Sequence, residues 1–179
     1  MAERFDKILV VGRSGLGKTK FSTRLGKLTG RKITHLDKHL WGPNWKTKRR
    51  KVQLRRKIID ILTSSEQWIL EGHYLDDIER RIEKADTVVL FDMPLWRSFY
   101  GVSKRWLFSN YYIVDQHPQK KYRLDKTIMK QIINYDMKYL YKSINKFENK
   151  NVYIIDNHRK SDSISDIIAE EINRSKNKI

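Results

Sequence analysis

Eight residues, Gly12-Arg13-Ser14-Gly15-Leu16-Gly17-Lys18-Thr19, have the spacing G-x-x-x-x-G-K-[ST], and the apolar run Ile8-Leu9-Val10-Val11 leads into them. Each position has a use at a polyphosphate. The three glycines allow backbone angles closed to other residues, so successive N–H groups can turn inward as an anion nest. A helix starting near Gly17 aims its unsatisfied N–H groups and positive dipole end at the same phosphates. Lys18 adds a mobile cation beside the β- and γ-phosphates, and Thr19 offers a hydroxyl to Mg²⁺. The stretch reads as a P-loop that binds ATP with Mg²⁺, with all eight residues in contact with the nucleotide.

Transfer of a phosphoryl group to a hydroxyl also asks for a carboxylate that accepts the proton and directs the attack. Asp37 is the candidate, and its alternative reading is a turn or helix-cap residue. Glu71 is expected to hold the hydration shell of Mg²⁺ or to orient the nucleophile; a surface carboxylate is the other reading. Asp92 precedes Met93-Pro94, which suits a site residue and a turn equally. His35 lies two residues before Asp37 and reads as a structural histidine on the same strand face. His73 and Tyr74 follow Glu71-Gly72 as loop residues.

The elements that must position these groups alternate along the chain. Strands are expected over residues 7–11, 32–37, 68–70, 87–92 and 152–156, where short apolar runs end on turn or acidic residues. Helices are expected over residues 17–28, stopped by Gly30, and from Thr47 to Thr63 with Leu54, Ile58, Ile61 and Leu62 as the apolar stripe. A short helix carries Ile78 and Ile82. After Pro94 a helix bears Trp96, Phe99, Tyr100, Trp106 and Leu107 on one side. One long helix spans residues 124–147, and a last helix with Ile164, Ile167, Ile168 and Ile172 is capped near Ser163. Strand–helix alternation without repeats or linkers predicts one α/β domain on a parallel sheet, whose ligands sit at the carboxyl ends of the strands.

Composition narrows the chemistry. Among 179 residues there is no cysteine, which removes disulfides, thiolate metal sites and thiol nucleophiles together. No run approaches the roughly 18 apolar residues of a membrane span, and the chain reads as cytoplasmic. The 38 basic against 21 acidic residues give a formal charge of +17. Such charge suits nucleic acid, a polyanionic small molecule, or simply a lysine-rich surface. Eight of the twelve residues 46–57 are basic, which fits a solvated helix face or a phosphate-binding one.

The P-loop, Glu71-Gly72, Asp92-Met93-Pro94 and the basic helix that follows resemble the nucleoside monophosphate kinase-like proteins. Within that group His35-Leu36-Asp37, Trp41-x-Pro43-x-Trp45 and Trp68-Ile69-Leu70-Glu71-Gly72-His73-Tyr74 are similar to the adenylate kinase-related DNA topology modulation proteins. The resemblance implies a P-loop NTPase three-layer sandwich with a five-stranded parallel sheet in the order 2-3-1-4-5. It also implies ATP with Mg²⁺ as donor, an acceptor-side segment at about 38–64 and a small helical lid at about 105–123. Relatives tend to carry Asp where this chain has Glu71, and Arg where it has Gly101. Trp41 and Trp45 form either a platform for a ring or anchors of the turn.

The expected catalytic set is Lys18, Asp37 and Arg105, with Arg97 and Lys104 as alternates for the lid cation that stabilises developing charge. The leading reading is an ATP-dependent kinase acting on a small-molecule acceptor. A DNA-associated ATP-binding regulator and a plain P-loop hydrolase are the alternatives.

Overall fold

Apolar β-branched runs flanked by polar turns build a central sheet, and helices with one apolar stripe close over both of its faces. The computed structural model describes residues 4–40, 52–108 and 126–176. The elements are β1 (Lys7–Gly12), α1 (Lys18–Thr29), β2 (Ile33–His35), α2 (Leu36–Leu40), α3 (Val52–Leu62), β3 (Trp68–Glu71) and α4 (Ile78–Lys84). They continue with β4 (Thr87–Phe91), α5 (Leu95–Leu107), α6 (Lys126–Ile133), α7 (Met137–Asn145), β5 (Asn151–Ile155) and α8 (His158–Lys176).

The five strands are parallel in the order β2-β3-β1-β4-β5. Side chains alternate through the sheet, so each strand feeds two cores. Ile8, Val10, Ile69, Val89 and Phe91 meet Phe21 and Leu25 of α1 and Ile164, Ile168 and Ile172 of α8 on one face. Leu9, Val11, Leu70, Val88 and Leu90 meet Ile59, Ile78, Ile82, Leu140 and Ile144 from α3, α4 and α7 on the other. The sheet is therefore the middle of three layers, as expected. Its register pairs Val10 with Glu71, His35 with Glu71, and Gly12 with Phe91, which aligns the carboxyl ends of β1, β2, β3 and β4 along one edge.

Several local expectations give way to tertiary effects. β2 stops at His35, and Leu36 and Asp37 open α2 instead of extending the strand, so His35 and Asp37 do not share a strand face. The long helix breaks into α6 and α7. The break has a cause in Asp136, whose carboxylate accepts the Tyr139 N–H at 2.8 Å and so starts a new helix. α8 begins five residues before Ser163, capped by Asn157, whose side-chain oxygen accepts the Lys160 N–H at 2.9 Å.

On α3 the core takes Ile59, with Ile58 and Leu62 partly buried, and leaves Ile61 out at 72% exposure. Its register follows Arg55 and Arg56, which pair with Asp76 and Asp77 on the α4 side. Thr47, the expected cap of that helix, lies outside the described residues, as do Trp41, Pro43 and Trp45 and most of the expected lid. On α5 the aromatic side is the outer one, with Trp96 and Tyr100 about 60% exposed, and Ser98 and Val102 face inward.

Asp136→Ala removes the cap at an exposed helix start, so it should lower stability by about 1 kcal/mol. Urea denaturation followed by circular dichroism measures this, with the fold otherwise retained.

Candidate active site

The loop between β1 and α1 is shaped by its glycines. Gly17 is the N-cap of α1 in left-handed conformation at φ 93°, and no side chain caps the helix. A helix start without a side-chain cap is the arrangement an anion site uses. Lys18 opens α1 and folds back over the loop, where its ammonium donates to the Arg13 carbonyl at 2.7 Å. Only 5% of the residue is exposed. Burial holds Lys18 below the ordinary lysine range, the Glu71 and Asp37 carboxylates oppose that shift, and Arg105 adds to it.

Those electrostatic partners identify what the fold gathers. Glu71 ends β3 beside the P-loop and its Oε2 accepts the Thr19 hydroxyl at 3.3 Å. The same oxygen is 2.7 Å from His35 Nδ1, because parallel register sets His35 directly across from Glu71. Burial alone would raise the Glu71 carboxyl, yet the His35 hydrogen bond and the charges of Lys18, His35 and His73 hold it below its ordinary value. Asp37, in the first turn of α2, faces His73 Nδ1 at 3.6 Å. Thr19 and Glu71 therefore meet beside Lys18, Asp37 pairs with His73 in the loop that follows Glu71, and the charges of Asp37 and Arg105 reach Lys18.

Among the described residues no group of three or more His, Asp or Glu side chains can hold a metal ion alone. Thr19 and Glu71 offer two adjacent oxygen donors, which fits Mg²⁺ as a partner of nucleotide phosphates, since that ion keeps several waters and few protein ligands.

The remaining predicted residues are placed differently. Asp92 accepts the Tyr141 hydroxyl at 2.7 Å and lies 3.8 Å from the Arg13 guanidinium, so it ties α7 to the P-loop. Burial and the Asp92 carboxylate push the Tyr141 hydroxyl up to about 12. Arg97 stacks over Trp96 at 4.6 Å, Lys104 is exposed, and Arg105 is the cation of the three whose charge reaches Lys18. In the basic run, Arg55 and Arg56 are engaged with Asp76 and Asp77, and residues 46–51 lie outside the described residues.

α5 approaches the P-loop more closely than any side chain permits. A Cβ on Gly101 would stand 2.0 Å from the Gly15 carbonyl oxygen, and one on Gly15 would stand 2.4 Å from the Ser98 carbonyl oxygen. Gly15 also has φ 85°. An arginine at position 101 would drive the helix off the loop.

Sequence reading missed Arg81 and Tyr141. Arg81 is completely buried, and burial lowers its guanidinium to about 10, with Tyr135, Asp77, Asp76 and Asp37 opposing. Helical spacing was the available signal, since Arg81 falls on the same face as Ile78 and Ile82. Tyr135, which helical spacing sets on one stripe with Ile128, Ile132 and Tyr139, is partly buried against the core.

No protein-family model and no curated protein matches this chain. Solved structures do. Shikimate kinase from Acinetobacter baumannii in complex with shikimate is 16% identical with a TM-score of 0.61, covering 97% of this chain and 96% of that one. A gluconokinase from Sinorhizobium meliloti is 13% identical with a TM-score of 0.55, covering 96% of this chain and 94% of that one. An unliganded sugar kinase from a Janibacter species is 14% identical with a TM-score of 0.52, covering 91% and 89%. The fold is that of P-loop small-molecule kinases. The likenesses stop short of the DNA topology modulation proteins that the sequence resembles.

Gly101→Ala should cost about 1–3 kcal/mol of stability through overpacking against backbone, and it should weaken nucleotide binding, read by calorimetry. Gly30→Ala is the control: φ is 70° but nothing lies within 4 Å of its added Cβ, so it should cost only the roughly 1 kcal/mol of left-handed strain. Glu71 gives a pH prediction. Its folded value is depressed, so its contribution is present above the ordinary 4.5 and is lost as pH falls through the folded value. Glu71→Gln should flatten the loss of unfolding free energy below pH 4.5, measured by urea titration across acid pH.

Proposed function

We propose that this chain is an ATP-dependent kinase that transfers the γ-phosphoryl group to a hydroxyl of a small molecule. The observation that carries the proposal is the convergence of Lys18, Thr19, Glu71 and Asp37 at the carboxyl edge of the sheet. The fold shared with small-molecule kinases supports it. In this reading residues Gly12, Arg13, Ser14, Gly15, Leu16, Gly17, Lys18 and Thr19 hold ATP.

Thr19 directly and Glu71 through water are the residues for Mg²⁺, which when bound neutralises phosphate charge. Asp37 accepts the proton of the acceptor hydroxyl as its oxygen attacks the γ-phosphorus, and the bond to the β–γ bridging oxygen breaks to leave ADP. Lys18 stays on the phosphate oxygens throughout. Arg105 adds positive charge where the transferring group becomes most negative. His35 holds Glu71 in place, and His73 faces Asp37 from the loop after β3.

Kinship with the adenylate kinase-related DNA topology modulation proteins, the acceptor-side segment at about 38–64 and the lid at about 105–123 belong to the same proposal. So does a cytoplasmic setting, where ATP is supplied. The kinase reading is preferred to a DNA-binding regulator because two cations of the basic run, Arg55 and Arg56, are taken up by Asp76 and Asp77.

A screen of nucleotides, nucleosides, sugars and hydroxy acids for ADP release tests the activity directly. Lys18→Ala should abolish measurable ATP binding by titration calorimetry. Asp37→Asn should leave ATP affinity within about threefold and lower turnover on any acceptor found by about 10²-fold or more. Loss of ATP binding in a folded Asp37→Asn variant would move that residue to the donor side.

A further inference from the structure

A residue from the far end of the chain closes one side of the P-loop. A Cβ placed on Gly17 would stand 3.8 Å from His158 Cε1 and 4.0 Å from His158 Nδ1, so the edge of the imidazole lies at van der Waals range of the last glycine of the loop. His158 opens α8 just after β5 ends. The helix is pinned along α1, because Arg24 donates to the Ser165 hydroxyl at 2.9 Å and to the Asp166 carboxylate at 2.6 Å. The ring is therefore held beside the helix start that faces a phosphate. His158 is otherwise exposed, so a molecule seated on the loop can reach it.

The charges that face the ring are mostly of one sign. Arg97 of α5 and Lys20 of α1 act on it, and Asp162 of α8 opposes them. The other carboxylates of this corner are engaged, Asp156 with Lys160 at 3.3 Å and Asp166 with Arg24. Its chain neighbour Arg159 is a further cation. Partial burial against the loop, with Arg97 and Lys20, holds the imidazole below the ordinary histidine value. Without a nucleotide the ring is thus neutral near neutral pH, between cations that disfavour its proton. A polyphosphate on the loop reverses that local field, since it brings several negative charges to the glycine backbone that the ring already borders, and a nearby anion favours the imidazolium.

We infer that His158 belongs to the nucleotide site and takes up a proton from solvent as the polyphosphate enters, so that nucleotide affinity rises as pH falls through neutrality. The inference rests on the nucleotide-binding half of the kinase reading and adds a regulation of that site. The sign follows from linkage: a group that holds its proton more tightly in the complex strengthens binding at lower pH, by at most about tenfold per pH unit for one proton. His35 and His73 stand apart from this coupling, on the β2–β3 side with Glu71 and Asp37.

The test therefore resolves His158 alone. The chain has five histidines, and His158→Gln identifies the His158 signals in a histidine-selective NMR spectrum by their loss. The probe is ADP with excess Mg²⁺, which fills the loop without being consumed and keeps its own phosphates deprotonated. In the free wild type His158 should titrate below the ordinary 6.5, and with ADP bound its midpoint should move up by about one unit or more. ADP affinity of the wild type, measured by calorimetry, should rise about threefold or more from about pH 8 to about pH 6, and His158→Gln should remove most of that rise. A His158 midpoint that ADP leaves unmoved, or a pH dependence that His158→Gln largely keeps, overturns the inference. Failure of ADP to bind the wild type at any pH overturns the nucleotide-binding reading instead, so the two failures are separate.

Discussion

An ammonium group removed from water is the constraint around which this protein is arranged. Lys18 is almost wholly buried at the start of α1, and a buried cation needs nearby oxygens to remain charged. The Arg13 carbonyl supplies one at contact distance, and the fields of Glu71 and Asp37 supply the rest. Glu71 is itself buried and needs partners in turn, which it finds in His35 and Thr19. Charge compensation therefore runs as a chain from the P-loop across β3 to β2, so the order of strands is part of the electrostatics. With β2 or β3 displaced in the sheet, Lys18 and Glu71 would each be an isolated buried charge.

A second constraint is steric. Two glycines, Gly15 and Gly101, let α5 lie directly on the P-loop, and the contact turns Ser98 and Val102 inward. The aromatic residues Trp96, Tyr100 and Trp106 of α5 are left outward. Packing of backbone on backbone of this kind couples the helix to the loop rigidly, because no side chain intervenes to absorb a shift. Arg105, two turns along from Ser98, then reaches Lys18 electrostatically from the same helix. The P-loop and the cation whose charge reaches Lys18 are thus carried by one packed unit.

Across the sheet from α1, the polar groups around Arg81 have another logic. The donor end of the site is satisfied internally, through Lys18 on Arg13 and Thr19 on Glu71. Arg81 is not, since its buried Nε and Nη1 lack hydrogen-bond partners. Natural interiors rarely leave such groups unmatched, and those that remain tend to coincide with function. The similar solved structures share the overall fold at low identity, and fold alone does not fix function.

Local signals in the sequence were enough for the P-loop, the five strands and their parallel arrangement. A glycine pattern, a run of β-branched residues or a stop at Gly30 acts through the backbone of its own few residues. Residue spacing alone also marked Lys18, Thr19, Glu71 and Asp37 as polar groups ending or following strands, and strand ends must meet in a parallel sheet. Tertiary structure decided everything that depends on distant partners. The inner face of α5 was chosen by Gly15, the register of α3 by Asp76 and Asp77, and the helical setting of Asp37 by the point at which β2 runs out of sheet to pair with. The burial of Arg81 follows from helices packing over β1 and β4. Periodicity records that a helix has an apolar side, but the energy that selects which side is buried comes from surfaces many residues away.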